Sequence, residues 1–289
     1  MAWTSSTRAR AKINLTLHIS GRRADGYHDL ESLVAFADLG DDVTLVASDH
    51  VALTISGPES ADLLATSDNH ILKAALALRV LKPDLRVGHF HLLKRLPLAS
   101  GMGGGSADAA AALRLLAKLN GLLLDDPRLF EAARKTGADV PVCLDSAARM
   151  MRGIGDQLDD SVVLPPLFAV LVNPRIATST PDVFDAIGLK AGASKSAPAH
   201  DVPALNSWAE CIAYLKRHRN DMQDAAIKLV PAIAECLVTL QSTQPLFARM
   251  SGSGATVFAL YVDCRAAARA AKIVKSTNPS WWVRPTRLR

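Results

Sequence analysis

The most constraining stretch of this chain runs from Pro97 to Leu113, PLASGMGGGSADAAAAL. Four glycines and two serines come first, at Ser100, Gly101, Gly103, Gly104, Gly105 and Ser106, and helix formers follow from Ala107 to Leu119. The preceding run His89–Leu96 is compatible with a strand. The order strand, glycine loop, helix allows only a few local structures. Glycine takes positive φ and carries no Cβ, so an anion can approach the backbone closely. The loop N–H groups and the positive end of the helix then attract a phosphate. Ser106 is expected to cap that helix or to help hold a metal–phosphate. The loop is not a P-loop, because no Gly-Lys-Ser/Thr closes it, and Ser106 stands where a dinucleotide fingerprint needs its last glycine.

The remainder of the chain reads as α+β. Residues 11–19 alternate, with Ile13, Leu15, Leu17 and Ile19 opposite Lys12, Asn14, Thr16 and His18, which predicts a half-buried strand with one polar face. Asp25-Gly26 predicts a hairpin turn before a strand that starts at Tyr27-His28 and runs to Phe36. Further strands are expected at 43–46, 51–55 and 167–172. Helices are expected at 70–80 behind Asp68-Asn69, after Asp126-Pro127, after Thr180-Pro181 and over 265–275. Residues 188–203 read as an exposed loop, Trp281-Trp282 as the start of a last, short strand, and the arginines at 284, 287 and 289 as a solvated tail.

Composition narrows the function classes. Net charge is +5, which suits a polyanionic small substrate, and no basic run is interleaved with aromatics as nucleic-acid binding would need. Four scattered cysteines form no C-x-x-C pair, so neither a zinc ribbon nor a disulfide framework is signalled and a reducing cytoplasmic setting fits. The most apolar segment, 162–172, is too short to span a bilayer.

The string P-x-x-x-G-x-G-G-G-S-A/S-x-A-A resembles the phosphate loop of the GHMP kinase superfamily. Two more segments agree with it in order. They are Gly137-Ala-Asp-Val-Pro141 and Met250-Ser-Gly-Ser-Gly-Ala-Thr-Val-Phe258. The resemblance implies a two-domain α+β fold. Its N-terminal domain would be like the second domain of ribosomal protein S5 (residues 1–160), its C-terminal domain ferredoxin-like (161–289), with the site between them.

Ala11-Lys-Ile-Asn-Leu-Thr-Leu17 and Arg23-Ala-Asp-Gly-Tyr-His28 resemble one branch in particular. That branch phosphorylates the 2-hydroxyl of a cytidine-diphosphate-linked methylerythritol in non-mevalonate isoprenoid synthesis. By match, Asp139 is the base and Lys12, opposite it, favours its charged form or stabilises the transferring phosphoryl. Taken alone, Asp139 reads as a helix cap. Asn14 would orient the substrate hydroxyls, His28 would read the pyrimidine edge, and Tyr27 and Phe184 would sandwich its ring. Phe184 reads equally as a core aromatic. Gly252 would lie under the substrate. Asn69, Lys94, Pro97, Ser100, Gly101, Gly103, Gly104, Gly105 and Ser106 would hold ATP with Mg²⁺, for which no protein ligand beyond Ser106 is assigned. A cap at Asn69 and a solvated strand-end Lys94 are the readings without the family. The implied partner is a small cytidine diphosphate substrate, with no nucleic acid or membrane, and the protein acts as a monomer or weak homodimer.

Overall fold

A computed structural model describes residues 3–289 except 62, 64, 67 and 195–201. The chain divides into two compact units, both discontinuous in sequence. Unit 1 holds residues 1–12, 39–98 and 103–146, and unit 2 holds 13–38, 99–102 and 147–289. The discontinuity has a simple cause. Strand β3 (His28–Ser48) is one element of 21 residues, and its two halves pair within different units. The separate strands expected at 27–36 and 43–46 are therefore joined. Gly40 permits it, since a Cβ there would lie 2.0 Å from the Ala9 carbonyl oxygen.

In unit 1, β5 (Val87–Leu93) pairs antiparallel with β3 over Asp42–Ser48 and parallel with β4 (Ala52–Ser56). Strand β1 (Thr4–Asn14) also joins β3. Helices α1 (His70–Leu81), α2 (Gly104–Asn120) and α3 (Pro127–Thr136) pack on one another. Helix α2 buries every residue of the consecutive run Ala109–Leu113. These small side chains let it be enclosed almost all round.

In unit 2, β8 (Leu167–Asn173), helices α4 (Thr180–Ile187), α5 (Trp208–Arg217), α6 (Gln223–Leu229) and α7 (Ala232–Gln241), then β9 (Phe247–Met250), β10 (Val257–Tyr261), α8 (Cys264–Thr277) and β11 (Trp282–Leu288) follow in order. The strands lie side by side as β11-β8-β10-β9, all antiparallel. This is the β-α-β-β-α-β arrangement expected of a ferredoxin-like domain. Val170, Val172, Val257, Ala259, Ile233 and Val274 lie in its core. The Arg-rich end is not a tail: β11 pairs with β8 from Trp282 to Leu288, because Trp282, Val283 and Leu288 are buried while the arginines face outward. Unit 2 also contains β2 (His18–Arg22) and β6 (Arg149–Arg152) on β3, and β7 (Gln157–Ser161) on β6. Met150 and Met151 are core residues of β6. Among the described residues, no helix is long and apolar enough to cross a membrane.

The polar face expected on residues 11–19 is not solvated. Lys12, Asn14 and Thr16 are all buried, each with a polar partner. Thr16 Oγ1 accepts from the Leu33 N–H at 2.9 Å. A strand can bury polar residues only when each finds such a partner.

Candidate active site

Unit 1 carries a cluster of lysines, carboxylates and the glycine loop. Lys12 is 4% exposed and its Nζ lies 2.9 Å from Asp139 Oδ2. Asp139 sits in the turn after α3 and caps no helix: the 3₁₀ turn Pro141–Cys143 begins on Val140, without a side-chain cap. The cap expected from sequence is thus absent, and the carboxylate, with 39% of its side chain exposed, serves the lysine instead. Helix α2 begins at Gly104, earlier than the run of helix formers predicts, because Gly103 adopts a left-handed φ of +61° and turns the chain into the helix. Ser106 therefore falls inside the first turn. It is not the cap, and no side chain caps the helix. The N–H groups of that turn are left for another partner, which is the condition for anion binding. A Cβ on Gly103 would lie 3.3 Å from Lys12 Cε, so the lysine stem runs along the loop.

Lys94 stands where sequence does not place it. It is 2% exposed, with its Nζ 2.6 Å from Asp41 Oδ2 and 2.8 Å from Asp108 Oδ2. Asp41 Oδ1 also accepts from the Arg95 and Leu96 N–H groups, at 2.5 and 2.9 Å. The solvated strand-end lysine expected without the family is thereby excluded. A Cβ on Gly104 would be 3.2 Å from Lys94 Nζ, so this lysine lies directly against the phosphate loop. Three charges closed off from water carry a net −1, which is costly. Burial, then the charge of Asp41, push the Asp108 carboxyl up to about 7 against the pull of Lys94, while the two carboxylates raise Lys94 against its own burial. The Asp108 pKa is higher in the fold than in the unfolded chain, so its stabilising effect is complete below about pH 4 and is lost as pH rises through 7. Asp108→Asn should therefore gain on wild type in thermal midpoint as pH rises from about 4 to about 7. A constant difference across that range would show that Asp108 does not titrate there.

Asn69 caps α1, its side chain accepting from the Ile71 N–H at 3.0 Å. His70, which sequence does not flag, follows it. Its Nδ1 is buried without a partner and lies 3.2 Å from where a Gly105 Cβ would be. Pro97 is buried at the start of the loop.

Unit 2 carries a second cluster, of aromatic and amide groups. Asn14 donates through Nδ2 to Ser32 Oγ at 2.7 Å, and its N–H donates to Ser251 Oγ at 3.0 Å. Ser251 Oγ in turn donates to the Gly101 carbonyl at 3.0 Å. Gly101 has a φ of +73°, and a Cβ there would lie 2.6 Å from the Ser251 and Gly254 carbonyl oxygens. Here only glycine fits, for backbone angle and for space. Ser100 is buried and its carbonyl accepts from the Thr256 N–H at 3.1 Å. Gly252, at φ +58°, lies against Asn14, whose Oδ1 would be 3.2 Å from an added Cβ. Asn220 ties this second glycine loop down, donating to the Met250 and Gly252 carbonyls at 2.9 Å each. It also accepts from the Met222 N–H at 2.9 Å.

Tyr27 is 60% exposed at the tip of the β2–β3 turn. His28 is buried and stacks on Phe184 at 4.1 Å with rings 10° apart. Its Nε2 is buried without a hydrogen-bond partner. Burial, and then the nearby Arg22 charge, hold its pKa below the usual histidine value, so the ring is neutral at pH 7. Phe184 is half-buried and also rests on the unit 2 core. Sequence alone could not pair His28 with Phe184, which are 156 positions apart, nor find Ser251, Asp41 and Asp108 as supports, since an isolated serine or aspartate carries no local signal.

Two family models match the chain: GHMP kinases N terminal domain over residues 69–147 and GHMP kinases C terminal over 201–280. The chain is 53% identical over 287 residues to the 4-diphosphocytidyl-2-C-methyl-D-erythritol kinase of Xanthobacter autotrophicus, covering 98% of each. It is 52% identical to the enzyme of that name from Azorhizobium caulinodans, again over 98% of each. Among solved structures, a 4-(cytidine 5'-diphospho)-2C-methyl-D-erythritol kinase superposes with a TM-score of 0.77 at 30% identity, over 98% of this chain and 99% of that one. A homoserine kinase from Cytophaga hutchinsonii shares the fold at a TM-score of 0.73 and 18% identity, over 98% and 94%.

Proposed function

This chain belongs to the GHMP kinases, and from that premise we propose that it transfers the γ-phosphoryl group of ATP to the 2-hydroxyl of 4-diphosphocytidyl-2-C-methyl-D-erythritol, a step of non-mevalonate isoprenoid synthesis. Relatives that bear this enzyme's name match the chain at about half identity and full length. The observation that carries the chemistry is the Lys12–Asp139 pair at 2.9 Å, with the lysine stem against Gly103 at the start of the phosphate-loop helix.

The reaction follows from what these residues can do. The substrate hydroxyl oxygen bonds to the γ-phosphorus as the bond from that phosphorus to the β–γ bridging oxygen breaks, and ADP leaves with the electron pair. Asp139 accepts the hydroxyl proton. Lys12 keeps Asp139 in place and offers its remaining N–H donors to the transferring group, where charge stabilisation does most of the work of phosphoryl transfer. The uncapped N–H groups at Gly104–Ser106 receive the phosphates. Lys94, neutralised by its two carboxylates, braces the first turn of α2 from beneath the loop.

Mg²⁺ fits this arrangement as a guest of the phosphates. Among the described residues, no group of three or more acidic, histidine or cysteine side chains converges as a metal cage, and Mg²⁺ needs none when phosphate oxygens and water complete its shell. Ser106 is the protein group placed to join that shell. The ion would neutralise charge on the phosphate oxygens.

In the second cluster, Asn14 orients the methylerythritol hydroxyls above Gly252. His28 offers its unpartnered Nε2 to the cytosine edge. A neutral ring suits that task, because it can donate or accept there. Tyr27 and Phe184 supply the ring faces, Phe184 with one face against His28. Four free cysteines agree with a reducing compartment, and we place the enzyme in the cytoplasm on that ground.

The test is ADP release by wild type with ATP and 4-diphosphocytidyl-2-C-methyl-D-erythritol, beside homoserine and mevalonate. Activity on the cytidine compound alone is expected, and activity only on homoserine or mevalonate would overturn the substrate assignment. Tyr27→Ala should raise KM for the cytidine substrate about 5- to 150-fold, the equivalent of about 1–3 kcal/mol of base stacking. KM for ATP and the thermal midpoint should not move, because Tyr27 supports no core. An unchanged substrate KM would remove Tyr27 from the site.

A further inference from the structure

Arg114 lies in the third turn of α2, well away from the phosphate-loop end of that helix. Its guanidinium is half-buried and ties three elements together. Nη1 donates to the Cys143 carbonyl at 2.8 Å and to the Leu144 carbonyl at 3.2 Å, and Nη2 donates to the Arg8 carbonyl at 2.8 Å. Cys143 and Leu144 close the turn that Asp139 opens. Arg8 lies four residues before Lys12 on β1, and α2 is the helix whose first turn forms the cradle. One side chain thus joins the strand of Lys12, the turn of Asp139 and the helix of the phosphate loop.

Its backbone hydrogen bonds from residue 137 to 144 are short-range, Gly137 to Ala133, Val140 to Gly137, Cys143 to Val140 and Leu144 to Pro141. Val140, Val142, Cys143 and Leu144 pack in the core, and the Lys12–Asp139 ion pair and the Arg114 fork add polar ties from this turn to β1 and α2. Arginine suits the junction, since its planar fork reaches several carbonyls at once, which a lysine ammonium on a flexible stem does not.

We propose that Arg114 is a positioning residue for phosphoryl transfer, setting the Lys12–Asp139 separation relative to the loop without touching either substrate. The role assigned to Asp139 here rests on the proposed function. Two variants, Arg114→Met and Arg114→Lys, make the inference testable. At a temperature well below unfolding, kcat should fall at least tenfold in both, while KM for ATP changes less than about twofold. The drop should vanish when Arg114→Met is combined with Asp139→Asn, because a misplaced base matters only if there is a base to misplace. An equal drop in both backgrounds, or a lower thermal midpoint with unchanged kcat, would overturn the proposal. A readout independent of turnover is amide hydrogen exchange. Residues 138–144 should exchange faster in Arg114→Lys, and β8 and β10 at the wild-type rate. Unchanged exchange at 138–144 would sink the proposal even if the kinase assignment stands. Faster exchange there in a protein that turns over none of the substrates would leave the tie intact and put the failure on the proposed function.

Discussion

Asp139→Asn is expected to lower kcat by about 100- to 10,000-fold, the range that a positioned general base supplies, with ATP still bound at close to wild-type affinity. The substitution keeps the shape of the side chain and its contact with Lys12, but removes the group that takes the hydroxyl proton. Lys12, buried at 4% exposure, keeps an acceptor in the amide oxygen but loses its counter-charge. Steady-state ADP release together with ATP titration separates the two effects. Normal turnover in the variant would mean that Asp139 only partners Lys12, and the mechanism would need another proton acceptor or none. A loss of ATP binding with unchanged kcat at saturation would instead make the pair a binding device.

The second large effect is on stability. Lys94→Met should destabilise the fold by about 3–5 kcal/mol, because it strands Asp41 and Asp108 in a site closed to water with no cation between them. Asp41 Oδ1 holds the Arg95 and Leu96 N–H groups and Asp108 lies in α2, so the damage should spread to the phosphate loop and raise KM for ATP as well. Adding Asp108→Asn to Lys94→Met should recover part of the loss at high pH, where Asp108 would ionise without its cation, and little at neutral pH, where the carboxyl, already pushed up to about 7 against the pull of Lys94, stays protonated. Denaturant unfolding followed at several pH values makes the comparison. If Lys94→Met is as stable as wild type and only ATP binding suffers, Lys94 is a direct ligand of the nucleotide and the strut account fails.

These two residues also mark where sequence information stops. The glycine loop was legible in the chain because its function is local. Gly101 and Gly103 need left-handed backbone, and consecutive N–H groups at one helix start make a phosphate cradle whatever else surrounds them. Several strands and helices were legible for the same reason, since alternation, caps such as Asp126 and glycine stops act over a few residues. The α4 cap is Ser179, one residue before the Thr180 expected, and the strand expected over 11–19 is broken into β1 and β2. Lys12, Asn14, Tyr27, His28 and Asp139 could be named from the family strings.

What those residues touch was not legible. Lys12 and Asn14 looked like one solvated face of a strand, and they are buried, because Asp139 and Ser32 reach them from 127 and 18 positions away. Lys94 reads as a strand-end charge until Asp41 and Asp108 close around it. His28 stacks on Phe184 across 156 positions, and Arg114 finds the carbonyls of Arg8, Cys143 and Leu144 on two other elements. The sequence by itself determined the main helices and strands around the loop, the cradle and the family. Tertiary structure decided which charges are paired and which polar atoms are buried. Those outcomes depend on desolvation and on partners far along the chain, and no local pattern of residues records either.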